Sequence, residues 1–309
     1  MIFAAALFFK RQQKIPALLE AVVCLLYVFC QGVNFWGLFT IGHDCGHGAF
    51  SRYHSLNFVV GIATHSFILV PYEAWKFSHR LHHKNTGNID REEVFYPQRK
   101  SEHSVVSRLM IVLLGGAWFI YESMGYPPRT EAHTELRDTM FRRHIISGTI
   151  SIVAHLSCIL GVLSLSAIVG WRVMGLYYWA PLFVFGSMLV VTMFLNHNDE
   201  ETPWYADSEW TYVKGNLSII DRDYGWIVSN LSHKIGTHQL HHLFPTIPHY
   251  NLIPATTHFR TAFPHLVRKS NEPILSAFFR IGKLYIKFGV VDENAKVFTL
   301  RDSAKQHSQ

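Results

Sequence analysis

Charge is scarce in this sequence. Of its 309 residues only 16% are Asp, Glu, Lys or Arg, against roughly 25% in an ordinary soluble domain, while 49% belong to the hydrophobic set. So few charges would hardly cover a water-exposed surface. Cysteine is scarce as well: Cys24, Cys30, Cys45 and Cys158 have no CxxC spacing, and three of them lie in apolar runs. That pattern argues against a disulfide framework and a thiolate zinc site. The net charge of +6 contains no block of five like charges, which argues against a nucleic-acid-binding module. There is no GxGxxG fingerprint, no HPGG haem motif, no Gly/Ser-rich or Pro-rich linker and no long-period repeat. One domain without its own nucleotide or haem site is the simplest reading.

The apolar residues come in runs. From Ile15 to Gly42 there are 28 residues with the single charge Glu20, more than the roughly 20 that span a bilayer. Ile145 to Gly170 and Val173 to Asn196 are uncharged and separated by Trp171 and Arg172, which predicts two spans joined at a tight tip. Leu56 to Val70 is too short to cross and is expected to lie in the interface, or to dip in and return. Of 28 basic residues, 23 fall in 73–143 and 201–309. These two segments flank the predicted hairpin, so they share a compartment, and their basic excess makes it the cytosol. The polar segment from Asp292 to Gln309 is expected to be mobile.

The excess that stands against these scarcities is histidine, with 20 copies. Three clusters matter: His43-Asp-Cys-Gly-His47, His79-Arg-Leu-His82-His83 and His238-Gln-Leu-His241-His242. At this histidine frequency about 1.3 HxxxH matches arise by chance, so the first cluster alone says little; HxxHH is expected only about 0.08 times, and it occurs twice. On a helix, residues i, i+3 and i+4 share a face, so each HxxHH aims three imidazoles at one point. Neutral imidazole ligates Zn, Cu, Fe and Ni. Eight such groups exceed what one four-coordinate ion uses, which implies two metals. An all-imidazole dinuclear site beside membrane spans suits iron, whose oxygen chemistry attacks unactivated C–H bonds. His197, directly after the last span, is a ninth candidate. His233 falls off the face of the third cluster and is expected to support it rather than ligate. Among carboxylates near the clusters (Asp44, Asp90, Asp199, Asp221 and Asp223), Asp44 is the one expected to orient a ligand imidazole. His65 and His155, in apolar runs, are expected to be hydrogen-bonded inside the bundle, and His133 and His258 to be ordinary surface residues.

The stretches around the clusters carry more information still: GHDCGHGAFS (42–51), HSFILVPY (65–72), WKFSHRLHHKNTGNIDREEVFYP (75–97), EWTYVKG (209–215), IDRDYG (220–225) and GTHQLHHLFPTIPHYNL (236–252). In this order around a hydrophobic hairpin, they resemble the membrane-bound fatty acid desaturases, in particular the methyl-end group of omega-3 and delta-12 enzymes. The resemblance implies an all-α integral membrane protein, with transmembrane helices and a cytosolic helical cap that holds a His-rich di-iron site. It implies one desaturase domain over 1–309, with a core of about 15–260 and a cytosolic tail over 261–309. One further amino-terminal span would be expected ahead of the first cluster.

Carried over residue by residue, His43, His47, His79, His82, His83, His238, His241 and His242 hold two irons, and His197 matches the additional family histidine after the last span. The implied reaction introduces a cis double bond toward the methyl end of an unsaturated C18 or longer acyl chain, carried as a membrane lipid or acyl-CoA, using O2 and two electrons. The expected donor is cytochrome b5 as a separate protein, and the expected location is the endoplasmic reticulum. Phe67, Tyr72, Trp75 and the face of 182–195 are expected to line the acyl channel. Related di-iron hydroxylases share the His boxes, so the boxes alone do not separate the two outcomes. A His-rich metal transporter would instead place ionisable groups within its spans. HDCGHG, THQLHHLFPTIPHY and PWYADSEW favour omega-3 relatives, whereas KNTGNIDREEVFYP resembles delta-12 ones.

Overall fold

The computed structural model describes residues 16–104, 108–125 and 144–307. The amino-terminal segment and His133 lie outside the described residues. The first apolar run forms helix α1, Ala17–His47, which at 1.5 Å per residue is about 46 Å long. It continues beyond the apolar run through the first histidine pair and stops at Gly48, whose φ of 74° is left-handed. Leu18, Leu19, Leu25 and Leu26 are exposed on its first half, as expected of a helix facing lipid.

The predicted hairpin forms α5 (Ile145–Val169) and α6 (Trp171–His197). These two helices and α1 are the three described helices long and apolar enough to cross a membrane. Between α1 and the hairpin, α2 (His54–Phe67) and α3 (Tyr72–Asn85) meet at 102°. Leu56–Val70 thus enters as one arm of a broken or re-entrant pair. A short α4, Gly115–Met124, packs along α6.

The cap comprises α7 (Tyr212–Leu217), α8 (Gly225–Leu231), α9 (His238–Leu243), α10 (Leu252–Ala262), α11 (Ile274–Phe288) and α12 (Leu300–Gln306). Three two-residue strand pairs tie distant segments together. β1 (Gln98–Arg99) runs parallel to β5 (Val290–Val291), β2 (Trp204–Tyr205) antiparallel to β6 (Val297–Phe298), and β3 (Asp221–Arg222) parallel to β4 (Lys269–Ser270).

The polar carboxy-terminal segment departs from the expectation of mobility. The buried Arg99 donates from Nη1 to the carbonyls of Asp292, Glu293 and Ala295 at 2.7, 3.1 and 2.9 Å, and Leu300 is buried. One guanidinium satisfying three carbonyls holds a segment whose composition reads as solvated.

Candidate metal centre

The carboxy-terminal ends of α1, α3 and α6 meet the short α9, and all nine candidate ligands converge there. His43 and His47 of α1, His79 and His83 of α3 and His241 of α9 form one group; His82, His197 and His242 form a second. Within each group one nitrogen per ring lies within 4.8 Å of every other. His238 joins the second group, its Nε2 3.2 Å from that of His197 and 3.1 Å from that of His242. The helical spacing does what the sequence predicts, and α3 serves both groups because His82 and His83 point to neighbouring points.

Two rings have their tautomer fixed by their partners. Glu92 Oε1, on a fully buried side chain, accepts from His82 Nδ1 at 2.9 Å. Asn216 Oδ1 lies 3.2 Å from His242 Nδ1, and Asn216 Nδ2 donates to the carbonyls of His83 and Tyr212. With the proton on Nδ1, each Nε2 presents a lone pair inward, where His82 Nε2 faces His197 Nε2 at 3.2 Å. His47 Nε2 and His241 Nε2 are buried without a hydrogen-bond partner among the described residues. Buried lone pairs converging in this way are costly unless a cation takes them up. On α9, burial first and the neighbouring imidazoles second hold His238, His241 and His242 well below the usual histidine pKa. These rings are therefore neutral, the ligating form. A metal fits this donor set.

Asp44 lies 3.6 Å from His43 Nδ1, and its Oδ2 accepts from His249 Nδ1 at 2.8 Å. His233 stays outside both groups, its ring centroid 5.5 Å from that of His249. Asp221 supports the site indirectly: its Oδ1 accepts from the Gln239 backbone N–H at 2.8 Å, and its Oδ2 from Arg260 at 2.6 Å, which anchors α9. Asp199 pairs with the buried Arg222, which ties the end of α6 to β3. Asp90 pairs with Arg99 and Asp223 lies 3.7 Å from Lys269, both remote from the imidazoles.

Glu92, Asn216 and Thr86, whose hydroxyl donates to the His82 carbonyl at 2.6 Å and lies 3.2 Å from His242 Nδ1, escape sequence reasoning. Glu92 sits in the charged run IDREE, ten residues past His82, and reads as a solvated loop; only the fold shows it at 0% exposure. His65 is buried with Nε2 3.2 Å from the Phe39 carbonyl, as expected. His155 is buried, but its Nδ1 has no partner among the described residues.

The nine-histidine centre opens on a cavity of about 100 Å³ lined by Trp36, Phe39, Trp75, Trp118, Leu189 and Met193, besides six of the histidines. Trp75, Leu189 and Met193 are where the sequence expected lining residues. Phe67 and Tyr72 do not line it: Phe67 is exposed, and Tyr72 packs against Gly61 at the bend between α2 and α3. A second cavity of about 50 Å³, reaching Ile111, Ala117 and Val190, shares Val94, Phe95, Trp118, Tyr121, Leu189 and Met193 with the first.

Gly236 leads into α9 at a close approach, since a Cβ there would lie 2.0 Å from the Arg222 carbonyl oxygen. Gly236→Ala is expected to cost about 1–3 kcal/mol and to displace the histidines of α9. Lowered metal retention together with lowered thermal stability, measured on purified protein, checks this.

The sequence from 17 to 270 matches the family model described as fatty acid desaturase. The chain is similar to an sn-1 acyl-lipid omega-3 desaturase (ferredoxin) of Nostoc sp., with 38% identity over 86% of this chain and 78% of the relative. It is similar to a chloroplastic omega-3 fatty acid desaturase of Glycine max, with 37% identity over 85% of this chain and 60% of the relative. A third relative is the acyl-lipid omega-3 desaturase (cytochrome b5), endoplasmic reticulum, of Arabidopsis thaliana, with 40% identity over 75% of this chain and 62% of the relative.

Proposed function

Because this chain belongs to the fatty acid desaturase family, within its omega-3 group, we propose that it introduces a cis double bond near the methyl end of an unsaturated, lipid-esterified acyl chain. The observation that carries this reading is the convergence of nine imidazoles at the wall of an apolar cavity beside membrane-spanning helices. In balance, two adjacent methylenes each lose one hydrogen, and O2 takes these, two electrons and two protons to give two waters. Two irons held by His43, His47, His79, His83 and His241, and by His82, His197, His238 and His242, would supply the oxidising power for C–H cleavage.

The protein's own contribution is placement and exclusion. Trp36, Phe39, Trp75 and Trp118 surround the cavity with ring faces that hold a hydrocarbon chain and leave little room for water. Phe39 stacks on His65 at 5.1 Å and meets Trp75 edge-on at 5.2 Å, so the wall is braced and the methylenes meet a rigid surface. Glu92 and Asn216 fix the tautomers of His82 and His242, which keeps their inward nitrogens free of protons.

The donor, in our reading, is cytochrome b5 as a separate protein, with the histidine centre on the cytosolic side of the endoplasmic reticulum. The Arabidopsis relative, a cytochrome b5 type, supports this, whereas the Nostoc relative is of the ferredoxin type.

Expression in yeast, which supplies cytochrome b5 but no plant-type ferredoxin, with linoleic and arachidonic acids in the medium tests the reading by analysis of fatty acid methyl esters. New omega-3 double bonds are expected in both. Conversion of endogenous oleate alone would indicate delta-12 specificity, and hydroxylated products with no new alkene would overturn desaturation.

A further inference from the structure

The cavity at the histidines has a second neighbour, on the side of α1. Thr40, His233 and His249 line both that cavity and an outer cleft of about 660 Å³, whose floor is Gln31, Asn34, Phe35, Leu38 and Ile41 of α1 and whose far wall is Asn230, Leu231 and His233. Cleft, cavity and the small annex near Ala117 therefore form one series, with the histidines in the middle.

The chemistry of α1 changes where the cleft begins. Past Glu20 in its first turn, the exposed side chains up to Phe29 are aliphatic or aromatic; then Gln31 and Asn34 appear, hydrogen-bonded to each other at 3.3 Å. Counting roughly 20 residues for the hydrocarbon core from Ala17 puts this stripe near the level where acyl chains meet their ester groups. Amide side chains facing hydrocarbon are costly, so a stripe of them beside a cleft calls for a polar occupant. Among the described residues no Lys, Arg, Asp or Glu lines the cleft. At its rim Lys234, next to His233 in the chain, donates from Nζ to Asn230 Oδ1 at 2.6 Å. Neutral donors suit an uncharged ester carbonyl, with one lysine at the rim for a headgroup, whereas a thioester carrier with several phosphates would need a cluster of cations.

The passage between cleft and cavity is narrow and strained. His233 and Lys234 both have left-handed backbones, with φ of 50° and 66°, and neither is glycine. His233 lies against Gly37: a Cβ at that position would be 3.2 Å from its Nε2. On the other side His249 is fixed to Asp44.

We infer that the outer cleft binds the ester end of a membrane glycerolipid, and that its acyl chain enters sideways from the leaflet between Gly37 and the His233–His249 pair. This rests on the reading of the chain as an acyl-lipid desaturase. The methyl end leads into the cavity and the ester stays among Gln31, Asn34 and Asn230.

The test keeps folding and entry apart. Gly37→Cys is introduced into a Cys24→Ala, Cys30→Ala parent, and the purified, iron-loaded protein is modified with methanethiosulfonate reagents of increasing size. Turnover of linoleoyl phosphatidylcholine in vesicles is then followed with reduced electron donor. Turnover is expected to fall with adduct size, by roughly tenfold or more for a bulky one relative to unmodified Gly37→Cys, with iron content unchanged and the parent indifferent to every reagent. Gln31→Leu combined with Asn34→Leu is expected to raise KM for the lipid severalfold while kcat and the position of the new bond stay the same. Wild-type turnover after bulky modification overturns the lateral entry. If parent and variant desaturate linoleoyl-CoA but not the phospholipid, the ester site is overturned while the desaturase reading stands; if the parent forms no alkene from either, that reading itself fails.

Discussion

His82→Ala is expected to lower formation of the new double bond by more than about 100-fold and to remove bound iron. Loss of a residue that only orients a metal ligand typically costs 10–100-fold, and His82 stands one shell closer. Its ring is buried, its Nδ1–H is committed to Glu92 Oε1 at 2.9 Å, and its Nε2 faces His197 Nε2 at 3.2 Å. Alanine removes the only group of α3 in the second histidine set and leaves the fully buried Glu92 carboxylate without that partner. Glu92→Gln keeps shape and burial but replaces the ionic acceptor, and about 10–100-fold is its expected loss. His258→Ala, on an exposed face of α10, is expected to change neither quantity. Iron per chain by elemental analysis, alongside product in yeast, separates the three. Retained iron and activity in His82→Ala would refute the ligand assignment.

The spans and the nine histidines could be read from sequence because each depends on local spacing. A bilayer demands about 20 apolar residues in succession, and HxxHH presents a common face within one helix turn. What could not be read depends on contacts across the chain. Glu92 is buried against His82, ten residues earlier on α3, and nothing in IDREE distinguishes it from Glu93. Asp221 reads as a loop carboxylate until Gln239 and Arg260 meet it from 18 and 39 residues away. The carboxy-terminal segment has the composition of a free tail, and Arg99, nearly 200 residues earlier, holds it. α1 outlasts its apolar run for a different reason: hydropathy falls at Gly42, but a helix ends at its cap, and the left-handed residue is Gly48.

The second large effect is expected at Ala117. Desaturation at the omega-3 position leaves only three carbons on the methyl side of the new bond, whereas a delta-12 enzyme acting on oleate leaves six. The annex beside the histidine cavity is small, about 50 Å³, and is reached past Trp118, Leu189 and Met193, so it suits a short methyl stub. Ala117 is buried, lines the annex and does not line the cavity at the histidines. A graded series, Ala117→Val, Ala117→Leu and Ala117→Phe, therefore fills the annex without touching a candidate ligand. Conversion of linoleate and arachidonate is expected to fall stepwise, reaching about tenfold or more for phenylalanine, where misplacement of the reacting carbons by an ångström already costs on the order of 100-fold. Overpacking a buried site costs about 1–3 kcal/mol, so iron content and protein level are measured on the same membranes. A fall in product at constant iron assigns the effect to chain placement. Both substrates should suffer alike despite their different lengths, because a pocket that holds the methyl end measures from that end. If Ala117→Phe slows arachidonate but spares linoleate, the register is set from the carboxyl end and the annex does not hold the methyl group.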